Sequence, residues 1–278
     1  MKKTLLMLAV ALLCACSSDD ETSQTSNLNL ETTEVTIAFT SLEFEPMTRA
    51  TLTGASMTHL DVWLSDGTTT TAYHQSSADS DFGTIATTLN KKKTYTLYAV
   101  AHKASDALTL SDGVLSYPDD KVKETFYYST SFSPATTTSI DAVMNRIVGK
   151  LTLQTTDAVP DDVTKMRFTM TTATRLNLDG TPANNVSRTV EFSSISRNQT
   201  DGTCSFSFYL LAASTNTDYA ITATAYDADN DVVETKTFTD IPIRNNYKTT
   251  LSGDFFVSTS VGINLAAIEW GEEQVIPF

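Results

Sequence analysis

Two cysteines stand one residue apart in LLCACSSDDE, residues 12–21, and Asp19, Asp20 and Glu21 follow them. Thiols that close could exchange a disulfide, hold a soft metal or carry a covalent modification. Three cysteines in 278 residues make no disulfide framework, and there is no C-x-x-C. His59, His74 and His102 lack the i, i+4 spacing of a zinc helix. Neither a G-x-S-x-G elbow nor a P-loop occurs. Asp227, Asp229 and Asp231 in YDADNDVVE have the alternate spacing of a calcium loop. Its sixth position is Val232 instead of glycine and its twelfth is Phe238 instead of glutamate, so an acidic hairpin turn is the expectation. The basic run in LNKKKTY reads as a solvated turn. Asp61, Trp63 and the tyrosines could form a glycan-stacking surface, although aromatics at strand spacing more often fill a core. These residues predict no catalytic site, no metal site and no cofactor.

The N-terminus explains the cysteines better. MKK is a short basic region, and TLLMLAVALLCA is an apolar run with only Thr4 polar. That run is too short to span a bilayer, which takes about 20 apolar residues, and it fits a signal peptide over residues 1–15. Leu13-Cys14-Ala15-Cys16 resembles a bacterial lipobox, with Cys16 in the acylated place and Cys14 discarded. Ser17, Ser18, Asp19, Asp20 and Glu21 resemble the acidic signal that sends Bacteroidetes lipoproteins to the outer face of the outer membrane. They also open a polar, flexible tether over residues 16–33. Losing residues 1–15 removes Lys2 and Lys3 and no acid, so the formal charge moves from −14 to −16. An acidic surface repels phosphate backbones, which argues against nucleic acid as a partner. Cys204, in TCSFSFYLL, reads as a buried, inert strand residue.

From Glu34 onward the pattern is one of strands. Val35, Ile37 and Phe39 alternate with polar or small residues. Leu42 and Phe44 continue on even positions, and a bulge would keep both sets on one core. Asp-Gly recurs at residues 66–67, 112–113, 179–180 and 201–202, four of the ten glycines, and supplies the positive φ of tight hairpins. Strand-like runs arrive every 8–15 residues with turn signals between them, the pattern of β-sandwiches. SIDAVMN reads as a short helix-like interruption. The Pro/Thr-rich stretch before NRIVGKLTLQ divides the chain into sandwiches over residues 34–145 and 146–278.

IPIRNNYKTTLSGDFF, residues 241–256, resembles a signature late in the second domain of the Bacteroidales fimbrillin, or type V pilin, superfamily. NRIVGKLTLQ, residues 145–154, is similar to the opening of that domain. The resemblance implies an all-β fold of two transthyretin-like, Greek-key β-sandwich domains after a lipoprotein signal peptide. It implies a surface fimbrial subunit whose partners are other fimbrial subunits, the outer membrane through a lipid on Cys16, and a host or bacterial surface ligand. It also implies assembly by strand exchange: an arginine-specific protease cuts a loop after the first strand, that strand leaves, and a neighbour's strand fills the groove.

On this chain the displaced strand would carry Val35, Ile37, Phe39, Leu42 and Phe44, and the cut would follow Arg49 in a loop after Pro46. The donor would be the tail with Val261, Ile263, Leu265, Ile268 and Trp270, whose parity slips as that of the first strand does. A stalk or tip subunit is favoured over an anchor that keeps its lipid. A surface glycan-binding lipoprotein is the rival reading. Exposed aromatics in a line would mark the rival, whereas a first strand buried in a core groove would mark the pilin.

Overall fold

The computed structural model describes residues 31–44, 47–215, 217–257, 268–269 and 276–277. Its strands are β1 (Thr32–Phe44), β2 (Met47–Thr51), β3 (His59–Ser65), β4 (Thr70–Ser76), β5 (Thr84–Asn90), β6 (Tyr95–His102), β7 (Thr109–Ser111), β8 (Val114–Ser116), β9 (Thr125–Phe132) and β10 (Ser139–Arg146). They continue as β11 (Val148–Thr155), β12 (Lys165–Asn177), β13 (Pro182–Phe192), β14 (Ser205–Leu211), β15 (Thr217–Tyr226), β16 (Val232–Ile243), β17 (Tyr247–Gly253), β18 (Ile268–Glu269) and β19 (Ile276–Pro277). Among the described residues the one helical element is a 3-10 turn at Pro118–Asp120. The chain is all-β and folds into β-sandwiches.

The helix-like reading of SIDAVMN is corrected. Ile140, Ala142, Met144 and Arg146 point inward while Ser139, Asp141 and Asn145 are exposed, a period of two that only a strand satisfies. Of the four Asp-Gly pairs, three close the hairpins β3–β4, β7–β8 and β12–β13, and the fourth turns the loop before β14. All four glycines have positive φ, from +72° at Gly202 to +87° at Gly180.

The first sheet runs β2-β1-β10-β9-β6-β3-β4, and β5 pairs with β1 on the edge that it shares with β2. Strand β10 serves both layers: residues 139–144 lie parallel to β1, and Asn145 and Arg146 pair with β9. The second half of the chain builds two further sheets. One is β14-β11-β17 with β18 and β19 on the far side of β17, and the other is β16-β15-β12 with β13 and β8 also paired to β12.

The two halves repeat one topology without sharing sequence. In each, the opening strand (β1, β11) pairs parallel with the closing strand (β10, β17) and antiparallel with a middle one (β5, β14). In each, a second layer follows the order β4-β3-β6-β9 or β13-β12-β15-β16. The halves are joined more tightly than a division at residue 145 implies. Hairpin β7–β8 comes from the first half but pairs with β12, Leu115 opposite Leu176. Behind it Trp63, Val100, Leu108, Tyr117, Val148 and Leu211 form a buried cluster between the two cores. Full burial of each such side chain is worth about 1.5–3 kcal/mol.

The same junction explains the two motifs. Asn246, at φ +61°, donates its N–H to the Val148 carbonyl at 2.9 Å. A Cβ on Gly149 would lie 2.7 Å from the Arg244 carbonyl oxygen and 2.9 Å from Ile243 Cγ2. The small residue after Val148 is therefore required by the Arg-Asn turn that lies on it. Gly149→Ala should cost about 1–3 kcal/mol by overpacking, read as a lower urea midpoint at unchanged m-value. Wild-type stability would mean that the turn moves aside without cost.

Candidate functional site

Strand β1 opens the described chain yet lies inside a sheet. One edge pairs with β10 over Thr36–Ser41, and the other pairs with β5 over Thr32–Ala38 and with β2 over Thr40–Phe44. Val35 and Ile37 are 0% exposed and Phe39 is 3% exposed. They pack in one core with Leu52, Ile85, Leu97, Phe126 and Ala142. Phe39 donates its N–H to the Gly83 carbonyl at 2.8 Å, and Thr36 donates to the Thr138 carbonyl at 3.0 Å. Inward parity continues through Ser41, which is fully buried, so the strand does not change faces after Phe39. The expected slip therefore does not begin there. The side chains of Leu42 and Phe44 lie outside the described residues, and their backbones pair with Arg49 and Met47.

Arg49 lies on β2, and this corrects the expectation of an open loop. Met47–Thr51 pairs antiparallel with Thr40–Phe44, with Arg49 opposite Leu42. Among the described residues β2 pairs only with β1, which puts Arg49 on an edge strand there. Residues 31–49 thus comprise β1 and the first three residues of its hairpin partner.

Of the tail, Val261, Ile263, Leu265 and Trp270 lie outside the described residues. Ile268 has a described backbone, which pairs with Lys248 on β17. Ile276 pairs with Leu251 of the same strand. Cys16 and Ser17 to Glu21 also lie outside the described residues.

Strand register brings together four side chains that sequence spacing left scattered. Asp61 is opposite His74, and His59 is opposite His102. His59 and Asp61 share one face of β3, so all three histidines gather round one carboxylate. Asp61 and His102 are both 0% exposed. His102 Nδ1 accepts the Ala104 N–H at 3.2 Å, so its proton sits on Nε2, which donates to Asp61 Oδ2 at 2.9 Å. Asp61 also accepts the Leu108 N–H at 2.7 Å and meets His74 Nδ1 at 2.7 Å. His59 stacks on His102 with ring centroids 5.4 Å apart.

Burial alone would raise the Asp61 pKa. The hydrogen bond from His102, with those from His74 and the Leu108 N–H, holds it below the usual carboxylate range. Both carboxylate oxygens and both His102 nitrogens are engaged within the protein, so this is a pin that holds the segment leading to β7–β8.

Asp227 of the acidic turn is similarly occupied. Its Oδ1 accepts the Asp229 and Asp231 N–H groups at 3.0 and 2.8 Å, as a hairpin turn requires. Among the described residues no cluster of His, Cys, Asp or Glu is arranged to hold a metal ion. No helix among them is long and apolar enough to cross a membrane. Cys204 is buried, and burial pushes its thiol pKa up.

A model of DUF6562, a family of unknown function, matches residues 22–273. No curated protein matches the sequence. Three solved structures from Bacteroides share the fold. A candidate adhesin from Bacteroides thetaiotaomicron aligns over 86% of this chain and 97% of its own, with TM-score 0.57 and 8% identity. A candidate polysaccharide-binding protein from the same species aligns over 85% and 96%, with TM-score 0.55 and 11% identity. A candidate adhesin from Bacteroides ovatus aligns over 76% and 79%, with TM-score 0.54 and 12% identity. At these identities the likeness is one of fold.

Proposed function

The chain belongs to DUF6562, a family of unknown function, and from that premise we propose that it is a surface fimbrial or adhesive subunit assembled by strand exchange. The observation that carries the reading is β1, a terminal strand held on both edges inside a sheet, with Val35, Ile37 and Phe39 in the core. Its departure would leave a row of backbone groups on β10 and β5 without partners, above an apolar groove. An incoming strand would restore those hydrogen bonds together, with side-chain pockets setting its register.

The cut supplies the direction. While β1 is continuous with β2, its effective concentration at the groove far exceeds that of any neighbour's strand. Cleavage after Arg49 removes that advantage and leaves β1 held by non-covalent contacts alone. The tail with Val261, Ile263, Leu265, Ile268 and Trp270 is the donor. A lipid on Cys16 carries the precursor to the outer membrane and departs with the excised segment. A stalk or tip role follows, whereas an anchor would keep both lipid and β1. The adhesin fold of the Bacteroides structures supports the same reading. The glycan-binding alternative needs an exposed aromatic line, and no aromatic side chain among the described residues is exposed.

The test is to treat the purified chain with an arginine-specific protease and examine the product by electron microscopy. The expected result is one cut after Arg49, release of β1 and fibres, with Arg49→Ala remaining monomeric. A cut elsewhere, or a clean cut without assembly, would sink the strand-exchange reading.

A further inference from the structure

The repeated topology exposes a difference between the halves. Among the described residues the only ladder of β5 is with β1, Thr84–Asn90 against Thr32–Ala38. Without β1, β5 has no strand partner. The first half compensates with side chains that close the seam between β5 and β4. The corresponding seam in the second half, between β13 and β14, opens instead into a cavity of about 600 Å³, which Arg188 Nη1 crosses to the Tyr209 carbonyl at 3.0 Å. The closed seam thus belongs to the half whose opening strand also opens the described chain.

Strand β4 does not depend on β1, since every one of its residues pairs with β3. Tyr73 and Gln75 share its inner face and are half-buried there. Gln75 Nε2 donates to the Thr84 carbonyl at 2.9 Å, and Gln75 Oε1 accepts the Gly83 N–H at 3.0 Å. One side-chain amide thus reproduces a rung of a ladder at the start of β5. Tyr73 and Thr87 join their hydroxyls at 2.8 Å in the middle of that strand. The Gly83 carbonyl is the acceptor of the Phe39 N–H at 2.8 Å. Gln75 therefore grips from one side the residue that β1 grips from the other.

We propose that Gln75 and Tyr73 are the keepers of the groove: they hold β5 and the Gly83 carbonyl in place during the interval between the departure of β1 and the arrival of the next strand. The inference rests on the strand-exchange reading and names the residues that make the emptied groove a template. With β1 gone and the keepers removed, β5 would have no ladder on either edge. Its buried Ile85 and Leu89 would border the space that Val35 and Ile37 had filled. A strand with so few contacts opens locally. An incoming strand would then have to order β5 as well as itself. Its apparent affinity falls with the fraction of molecules whose groove wall is in place. Gln75 and Tyr73 are positioning residues, because they act through β5 and not through the incoming strand.

The experiment cuts the chain after Arg49, frees it of the excised segment by gel filtration, and titrates it with a fluorescent peptide of residues 31–49. The wild type should bind saturably, and its β5 amides should stay protected from hydrogen exchange while the groove is empty. Gln75→Ala should weaken binding at least about tenfold, mainly through slower association. Tyr73→Phe keeps the ring and should weaken it about threefold. In the emptied variants β5 should lose protection while β3 and β6 keep theirs, and in the uncut variants β5 should stay protected. A contact that merely adds stability would lower the melting temperature of the uncut chain and leave peptide affinity unchanged. Thermal melts of the uncut variants also serve as the folding control. Unchanged affinity in both variants, or an emptied wild type whose β5 is unprotected, would overturn the proposal; if the cut wild type still forms fibres, strand exchange stands without keepers. Keeper-dependent peptide binding without fibres supports the keepers and removes strand exchange. A β1 that cannot be freed after the cut would overturn both.

Discussion

Asp61→Ala should lower the stability of the folded chain by about 3–5 kcal/mol, the range for removing one member of a buried charged network. The carboxylate is wholly buried and serves His102, His74 and the Leu108 N–H at 2.7–2.9 Å. Without it, a buried imidazole N–H and a buried backbone N–H lose their acceptor. Asp61→Asn keeps the shape but turns an amide donor toward other donors, so about 1–3 kcal/mol should go. The pH response identifies the charge. Because the folded-state pKa is depressed, Asp61 stabilises the fold above the unfolded carboxylate value of about 3.9. That contribution is lost as pH falls through the lower folded-state value. Urea melts at pH 7, 4 and 3 should therefore show a steeper loss in the wild type than in Asp61→Asn. Parallel pH profiles would mean that the carboxylate carries no net charge in the folded chain.

That network marks where sequence reading stops. His59 and Asp61 are two residues apart and visibly share a strand face. That His74 and His102 lie beside them depends on the lateral register of β4 and β6, which period-two patterning does not specify. The same limit explains β7–β8. The Asp112-Gly113 turn is legible, but the hairpin's pairing with β12, more than fifty residues later, is a tertiary choice. Where the answer depended on alternation alone it was readable: Val35, Ile37 and Phe39 are the buried face of β1. SIDAVMN misled because isoleucine, alanine, valine and methionine fit a helix face nearly as well as a strand. The segment around Arg49 misled differently. Pro46 was read as a break leading to an open loop, whereas Met47–Thr51 is a strand paired with β1.

The resemblance motifs can be tested at the contact that joins them. Arg146, from NRIVGK, is 3% exposed. Its Nε and Nη2 donate to Glu124 Oε1 at 3.1 and 2.9 Å, and its Nη1 donates to Asn246 Oδ1 at 3.1 Å. Its guanidinium also lies 4.5 Å from the Phe126 ring centroid. One side chain thus ties β9 and β10 of the first half to the Arg-Asn turn of the second. Arg146→Ala should cost about 3–5 kcal/mol, because Glu124 is left in a largely dry site. The lower end is expected, since Lys103 remains 2.7 Å from the other Glu124 oxygen. Arg146→Met keeps the packing against Phe126 and should lose less, so the difference between the two variants measures packing apart from charge. The decisive measurement is a double-mutant cycle with Asn246→Ala. A coupling of about 1.5–3 kcal/mol is expected for a hydrogen bond to a charged group across the junction. Hydrogen exchange should also quicken at residues 244–248, a hundred positions from the mutation. Additive effects with unchanged exchange at that turn would mean that the two motifs sit side by side without holding each other, and the junction would then rest on the apolar cluster behind β7–β8 alone.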